Sequence, residues 1–258
     1  MLHPRIIPNL LIQNKGLVKT VNFKNPKYVG DPLNAVKIFN EKSVDELIVT
    51  DIDATVHNKK PDFSLIEKIA NQSRMPLCYG GGIKNANQAK TIFSLGVEKI
   101  AISSAAIENP KIINDIADSV GNQSVVIVLD VKKRFLGRGY DIFTHNSKRK
   151  TGIDLIDFIN KLKTMGVGEI LLNSIDQDGT MLGYDFNLID KVKKVTTLPL
   201  TVLGGAGSLD DIGSLIDKYK IIGAGAGSLF VFKGKYKAVL INYPNNEEKM
   251  KLINTYMN

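Results

Sequence analysis

The chain has 258 residues, of which 43% are hydrophobic, and a formal net charge of +8. This length suits one α/β barrel or two smaller domains, and no run approaches the roughly 18 apolar residues of a membrane span. The single cysteine, Cys78, excludes a disulfide framework within the chain, so a cytoplasmic location is expected. The positive charge favours a phosphorylated small molecule or an acidic protein as partner, whereas neither nucleic acid nor a membrane is expected.

Apolar strands alternate with helical segments in the first half of the chain. Strands are predicted at 5–12, 46–52, 76–80 and 99–103. Helices are predicted over 63–72 and 85–95, and also from Asp31-Pro32 and Asn109-Pro110, because a capping residue followed by proline starts a helix. Residues 13–30 are expected to form a long polar loop, and loops of that length in a compact domain are usually functional or mobile.

The second half repeats this order. Strands are predicted at 124–130, 169–174, 200–203 and 221–226, and helices at 154–165, 186–195, 210–219 and 249–257. Residues 132–150 form a basic excursion with hairpin character. No break in composition marks a linker, so one domain spanning 1–258 is predicted.

An internal repeat supports a barrel. Pro76 and Pro199 each begin an apolar strand that runs into a glycine cluster, and Glu46 and Glu169 are separated by the same 123 positions. We therefore predict a (β/α)₈ TIM barrel with a twofold half-barrel repeat, its halves covering about 1–122 and 123–258. A doubly wound open sheet is the alternative.

Function in such a barrel is expected at the carboxyl ends of the strands. Glycines and serines at four strand ends predict two anion cradles, because glycine lets backbone N–H groups approach a phosphate. These candidate phosphate-binding residues are Gly81, Gly82, Ser103 and Ser104 in one cradle, and Gly204, Gly205, Gly227 and Ser228 in the other. The alternative is that the glycines only permit tight turns.

A carboxylate follows the fifth predicted strand. Asp130 is placed for general acid–base chemistry between the two cradles, although an ion pair with Lys132 or Lys133 is an alternative. Aligning the first strand with the fifth sets Leu11 opposite Asp130. A symmetric pair of acids would need an acid at position 11, and leucine can neither accept nor donate a proton.

Charged residues also mark the opposite end of the predicted barrel. Arg5, Glu46, Lys99 and Glu169 lie at the starts of four strands and could form a ring across the barrel bottom, or a purely stabilising ion network. The three histidines, His3, His57 and His145, lack metal-like spacing and are expected at the surface. No metal site and no cofactor are predicted.

With these features identified, the chain resembles, over essentially its whole length, the cyclase subunit of imidazole glycerol phosphate synthase. The motifs that carry the resemblance are Arg5-Ile6-Ile7, Lys19, Gly30-Asp31-Pro32, Asp45-Glu46-Leu47, Gly80-Gly81-Gly82-Ile83, Asp130, Thr151-Gly152, Ser174-Ile175-Asp176-Gln177-Asp178-Gly179-Thr180 and Gly204-Gly205-Ala206-Gly207. The resemblance implies a glutaminase subunit docked at the N-terminal face of the barrel and ammonia that travels through the barrel to a phosphorylated substrate.

The resemblance also implies roles for individual residues. Arg5, Glu46, Lys99 and Glu169 would form the ammonia gate, Asp130 would be catalytic, and Gly82, Ser103, Ser104, Gly205 and Ser228 would hold phosphates. Lys19, Asp51 and Asp176 are further candidates for the substrate site. The departure is Leu11, which stands where the family has a second catalytic aspartate.

Losing one member of an acid–base pair typically removes about 10²–10⁴-fold of rate. The combination of an intact gate and Leu11 resembles paralogues of surface-polysaccharide and sugar-amidation pathways, with a sugar amidotransferase as a third protein. We therefore expect an ammonia-channelling subunit that serves a nucleotide sugar. The alternatives are a working histidine-pathway cyclase, in which Asp51 or Asp176 replaces the missing acid, and a catalytically silent phosphate-binding activator of the glutaminase.

Overall fold

The computed structural model describes residues 3–135 and 139–257. In chain order the strands are β1 (Arg5–Gln13), β2 (Gly16–Val21), β3 (Lys24–Gly30), β4 (Leu47–Asp51), β5 (Leu77–Gly80), β6 (Lys99–Ile102), β7 (Val125–Lys133), β8 (Tyr140–Thr144), β9 (Arg149–Asp154), β10 (Glu169–Ser174), β11 (Leu200–Leu203), β12 (Gly223–Ala226), β13 (Phe232–Lys233) and β14 (Ala238–Val239). The helices are α1 (Pro32–Glu41), α2 (Ile52–Val56), α3 (Phe63–Gln72), α4 (Ala86–Ser94), α5 (Ser104–Glu108), α6 (Lys111–Val120), α7 (Leu155–Leu162), α8 (Phe186–Lys193), α9 (Leu209–Tyr219), α10 (Ser228–Val231) and α11 (Asn246–Met257).

Eight parallel strands close into a barrel in the order β1-β4-β5-β6-β7-β10-β11-β12, and β12 pairs with β1 again. Helices alternate with these strands around the outside. The predicted (β/α)₈ barrel is confirmed, and closure of the sheet excludes the open-sheet alternative. No helix among the described residues is both long and apolar enough to cross a bilayer.

Side chains of the barrel strands alternate between two apolar layers, as the two-residue period of a strand requires. On β1, Ile6 and Leu10 point outward and join the large core that packs the strands against the helices. Ile7 points inward and packs on the axis with side chains from other strands, including Cys78 and Leu171. Both faces of the sheet are therefore buried, which explains why the barrel strands are continuously apolar.

The expectation of a polar loop over 13–30 is wrong. The segment forms β2 and β3, an antiparallel hairpin that extends β1. Asn14 and Lys15, and then Asn22 and Phe23, take positive φ angles of 48–64°, which suit two-residue hairpin turns. The hairpin character expected for 132–150 is confirmed, because β8 pairs antiparallel with β7 and β9 pairs antiparallel with β8. Each nine-residue strand, β1 and β7, is thus followed by a hairpin at the C-terminal face.

The second predicted strand ends earlier than expected. The chain turns into the short helix α2 after Asp51, because the Asp51 carboxylate accepts hydrogen bonds from the backbone N–H groups of Asp53 and Ala54. The short helices α5 and α10, which follow β6 and β12, were also not anticipated. All three helices begin at the carboxyl ends of barrel strands, where the candidate site residues lie.

Candidate functional site

Four charged side chains form a ring at the N-terminal end of the barrel axis. The Arg5 guanidinium contacts Glu46 and lies 2.6 Å from a Glu169 oxygen, while Lys99 Nζ lies 3.0 Å from Glu46 and 2.9 Å from Glu169. Thr201 donates a further hydrogen bond to Glu169. The structure thus brings all four predicted gate residues together, with two cations and two anions in alternating contact.

Within this ring, the opposite charges of the partners together shift the pKa values of Glu169 and Lys99 more than burial does. Burial alone would raise the pKa of Glu169, but the charges of Arg5 and Lys99 bring the pKa below its usual value. Burial would likewise lower the pKa of Lys99, yet Glu169 and Glu46 raise it. The opposite charges around them therefore favour the ionised forms of Glu169 and Lys99.

An apolar layer lies above the ring on the axis. Ile7, Cys78 and Val126 are at most 2% exposed and pack together with Ile48 and Leu171. Burial raises the pKa of the Cys78 thiol well above its usual value, so the thiol stays protonated. This layer separates the charged ring from the space at the other end of the barrel.

A cavity opens above the apolar layer at the C-terminal face. It contains about 1040 Å³ of space, part of it continuous with solvent, and Ile48, Val128 and Leu171 contribute to its lower wall. The first predicted cradle, comprising Gly81, Gly82, Ser103 and Ser104, lines this cavity. Leu11 and Asp130 also line it, so the leucine and the predicted catalytic acid share one space.

Asp130 is set up for proton transfer near neutral pH. Enclosure by the barrel raises its pKa to about 7, and Asp178 adds to this effect, while a hydrogen bond of 2.9 Å from Asn173 Nδ2 opposes it. The predicted ion pair with Lys132 or Lys133 is absent from the described contacts of Asp130. A carboxyl group with this pKa can both accept and donate a proton at pH 7.

The second predicted cradle lines a smaller pocket beside the first cavity. Gly204, Gly205, Gly227 and Ser228 all contribute to it. Lys19, which is 6% exposed, projects into this pocket from β2 and donates to the Asn9 carbonyl oxygen at 2.5 Å. Burial lowers the pKa of Lys19 to about 8, although Asp178 opposes this shift.

Close packing explains two of the cradle glycines. Gly81 has φ of 122°, and a Cβ atom there would lie 2.8 Å from Asp51 Cβ. Gly205 has φ of 110°, and a Cβ atom there would collide with the Gly183 carbonyl oxygen. Any other residue would be strained at either position, so turn geometry alone already requires both glycines.

The remaining acid candidates separate in the structure. Asp51 lines the main cavity, and desolvation raises its pKa. Asp176 accepts a hydrogen bond from the Lys133 backbone N–H and is not among the cavity-lining residues. Asp178, two residues later in the same motif, lines both pockets; burial raises its pKa, and it accepts from Thr20 Oγ1 at 2.7 Å and the Phe23 N–H at 3.1 Å.

The surface position expected for His145 needs correction. The residue lies in the turn between β8 and β9, lines the main cavity, and has a side chain only 29% exposed. His57 is 55% exposed, as expected of a surface residue. Spacing along the chain could not indicate the position of His145, because its contact with the cradle depends on folding of the hairpin over the cavity.

Among the described residues, no group of three or more His, Cys, Asp or Glu side chains is arranged to hold a metal ion.

Comparisons with known proteins agree with this geometry. The family described as "Histidine biosynthesis protein" matches residues 5–237. The chain is 59% identical to the "Putative imidazole glycerol phosphate synthase subunit HisF" of Leptospira interrogans, covering 96% of this chain and 98% of that protein. It is 58% identical to the "Putative imidazole glycerol phosphate synthase subunit hisF3" of Vibrio vulnificus, covering 98% and 97%.

A third relative carries the unqualified name. The "Imidazole glycerol phosphate synthase subunit HisF" of Clostridium botulinum strain Okra is 39% identical over 96% of this chain and 98% of its own length. The coverage leaves almost none of either chain unmatched. The chain therefore belongs to the histidine biosynthesis protein family and, within it, to the cyclase-type HisF subunits of imidazole glycerol phosphate synthase.

Proposed function

We propose that this chain is the synthase-type subunit of a glutamine amidotransferase that amidates a phosphorylated or nucleotide-sugar substrate in surface polysaccharide biosynthesis. A glutaminase subunit binds the N-terminal face and releases ammonia into the ring of Arg5, Glu46, Lys99 and Glu169. Ammonia then moves along the axis to the C-terminal cavity, where it reacts or is passed to a sugar amidotransferase. One observation carries the proposal: the charged ring is complete, while Leu11 faces the cavity that contains Asp130.

The apolar layer supports transport of a neutral molecule. Ile7, Cys78 and Val126 offer no charged group, and moving an ion into such a layer costs far more than moving a small neutral one. Ammonia can therefore pass where ammonium cannot. The paired charges beneath the layer leave no free carboxylate at the ring to retain ammonium.

The cavity supports chemistry that needs one proton-transfer group rather than two. Addition of ammonia to an electrophilic carbon releases a proton, and departure of the leaving group consumes one. Asp130, with a pKa of about 7, can take the first proton and return the second. Leu11 contributes only apolar surface, so a ring closure that needs two acids at once is disfavoured.

Label transfer tests this function. The chain is co-purified with its glutaminase, supplied with amide-¹⁵N glutamine, and incubated either with a nucleotide sugar or with the bis-phosphorylated ribulosyl aminoimidazole carboxamide. We expect label in the sugar product and little imidazole glycerol phosphate. Turnover of the imidazole precursor at the rate of an ordinary cyclase would rule the proposal out. Excess unlabelled ammonium in the buffer is the control, because channelled nitrogen keeps its label.

The second candidate function is a working cyclase of histidine biosynthesis. Asp178 favours it, because this acid lines both pockets together with Leu11, and burial raises its pKa. In this function Asp178 replaces the missing proton-transfer group, rather than Asp51 or Asp176. Rescue of a cyclase-deleted histidine auxotroph by the chain, and loss of rescue in Asp178→Asn, would support it. Failure of the unaltered chain to rescue growth would exclude it.

A further inference from the structure

We propose that His145 is an anion-binding residue that supplies positive charge to the cradle formed by Gly81, Gly82, Ser103 and Ser104. Its ligand is a phosphate or diphosphate group at one end of the substrate. The inference rests on the phosphorylated substrate of the proposed function. It assigns His145 as the positive charge that binds the phosphate at one end of that substrate.

The turn between β8 and β9 is fixed over the cavity beside this cradle. The backbone N–H of His145 donates to Ser104 Oγ at 3.3 Å, and Asn146 Nδ2 donates to the Ile52 carbonyl oxygen at 2.7 Å. His145, Asn146 and Ser147 all have positive φ angles, of 55°, 54° and 61°. Such a run is unfavourable for residues with side chains, so it persists because the surrounding contacts hold it.

A phosphate bound in the main cavity would meet no cationic side chain among the described lining residues other than His145. The titratable residues that line it, within the described part of the chain, are Asp51, Asp130, Asp178 and His145. Neither lysine nor arginine contributes to that lining. A phosphate beside three carboxyl groups needs a cationic partner, and a protonated imidazole is the side chain placed to provide it.

The other cradle supplies an independent argument. The hairpin after β1 delivers Lys19 to the pocket formed by Gly204, Gly205, Gly227 and Ser228. The hairpin after β7 is its counterpart in the second half of the barrel, and it delivers His145 to the cavity formed by the opposite cradle. Each cradle therefore receives one basic side chain from the hairpin that follows the first strand of a half-barrel.

The immediate neighbours of the imidazole leave one nitrogen available. His145 Nδ1 lies 3.1 Å from Thr144 Oγ1 and 3.9 Å from Glu108, and Glu108 is itself paired with Arg149 at 3.0 Å. No hydrogen-bond partner of Nε2 is found among the residues described. The charged group nearest the imidazole is thus Glu108 from α5, which is paired with Arg149 from β9, and the acids Asp51, Asp130 and Asp178 line the same cavity as His145. Lys148 belongs to the same turn and donates its backbone N–H to the His145 carbonyl.

Nuclear magnetic resonance can test the proposal directly, because the chain has only three histidines. The imidazole signals are titrated with pH in the absence and presence of inorganic sulfate, which stays fully ionised, while the amide signals of Gly81, Gly82 and Ser104 report occupancy of the cradle. The full chain carries Lys19→Met, so that the other cradle loses its lysine. Sulfate should raise the pKa of His145 by about one unit, equivalent to about tenfold tighter binding to the protonated form. The pKa of His57 should not move.

Substitutions give the second measurement. At pH 6, His145→Gln should bind sulfate about tenfold more weakly than the unaltered chain. It should also lose most of the difference in sulfate affinity between pH 6 and pH 8, and the pH dependence that remains comes from Asp130. His57→Gln should leave sulfate affinity unchanged.

Three outcomes would overturn the inference. Sulfate could shift the amide signals of the cradle without changing the pKa of His145. The His145→Gln variant could bind sulfate as tightly as the unaltered chain. The amide signals could also show no sulfate binding at all. None of these results bears on delivery of ¹⁵N from glutamine. Conversely, failure of the label-transfer experiment would remove the proposed function without touching a sulfate site at His145.

Discussion

At the N-terminal end of the barrel axis, Glu169 is 5% exposed and contacts both Arg5 and Lys99. At the C-terminal end, Asp130 is enclosed by the same barrel, but its hydrogen-bond partner is the neutral amide of Asn173. The pKa of Glu169 falls below its usual value, whereas that of Asp130 rises to about 7. Desolvation acts on both carboxyl groups, and the presence or absence of a cation decides the direction of the shift.

This difference separates a structural use of charge from a chemical one. The ring joins two cations to two anions, and these ion pairs fix the geometry of the strand ends. The cavity keeps one acid, Asp130, whose pKa of about 7 lets it change protonation state where proton transfer is useful.

The largest expected effect comes from removing one charge from the ring. Glu169→Gln leaves Arg5 and Lys99 to share Glu46, and loss of one partner from a buried ion pair costs about 3–5 kcal/mol. The free energy of unfolding from urea titration should fall by that amount. Asp190→Asn is the control, because the ion pair of Asp190 with Lys218 is exposed and should be worth less than about 1 kcal/mol. Equal effects at the two sites would contradict the structural role of the ring.

Placing an acid at position 11 should raise the rate of imidazole glycerol phosphate formation by about 10²-fold. Leu11→Asp adds a second proton-transfer group beside Asp130, and such groups typically contribute about 10²–10⁴-fold. The rate of imidazole glycerol phosphate formation, measured with ammonium in place of the glutaminase, should therefore increase. Leu11→Asn has a similar volume and hydrogen-bonding capacity but cannot transfer the proton, so it should show no gain. An equal increase in both variants would mean that polarity alone limits the reaction.

The protonation of Asp130 predicts how stability depends on pH. Because its pKa is raised from 3.8 to about 7 in the folded chain, its favourable contribution is complete below about pH 4 and is lost as the pH rises towards 7. Asp130→Asn should therefore be more stable than the unaltered chain at pH 8, by about 1–2 kcal/mol after allowance for water in the cavity, and similar to it at pH 4. Urea titrations at the two pH values measure the difference, with Asp118→Asn on the exposed side of α6 as the control. A stability difference that is the same at both pH values would contradict the raised pKa.

The smallest expected effect concerns the hairpin over the cavity. Asn146→Ala removes the hydrogen bond to Ile52, and a neutral bond of this kind contributes about 0.5–1.5 kcal/mol. Hydrogen exchange of the β8 and β9 amides should accelerate by about tenfold, while the exchange of β10 should not change. The exposed Asn87→Ala on α4 is the matched control. Faster exchange throughout the barrel would show that the bond supports the fold rather than the hairpin alone.

Much of the barrel could be predicted from the sequence because parallel strands are buried on both faces. The strands predicted at 169–174 and 200–203 match β10 and β11 to the residue. The hairpin formed by β2 and β3 was missed, since polar residues dominate 13–30 and only Asn14-Lys15 and Asn22-Phe23 marked its turns. A polar segment is normally expected to face water, but in this hairpin the polar side chains of Lys19 and Thr20 are buried.

The site was less predictable than the barrel. The two predicted cradles follow from glycines at strand ends, but which of Asp176 and Asp178 lines the cavity depends on how the chain turns after Ser174. His145 reaches Ser104, which is 41 positions away, only because β8 and β9 fold over the cavity. Contacts of that kind depend on the three-dimensional path of a hairpin, and no local pattern encodes them.

The position of Cys78 has a practical consequence. It is the only sulfhydryl in the chain, is 1% exposed, and lies between the charged ring and the cavity. A small alkylating reagent can reach it only when the axis opens to solvent. The rate of its modification in the full chain, with and without a glutaminase or a phosphorylated ligand, therefore measures how readily the packing on the barrel axis opens, without any engineered label.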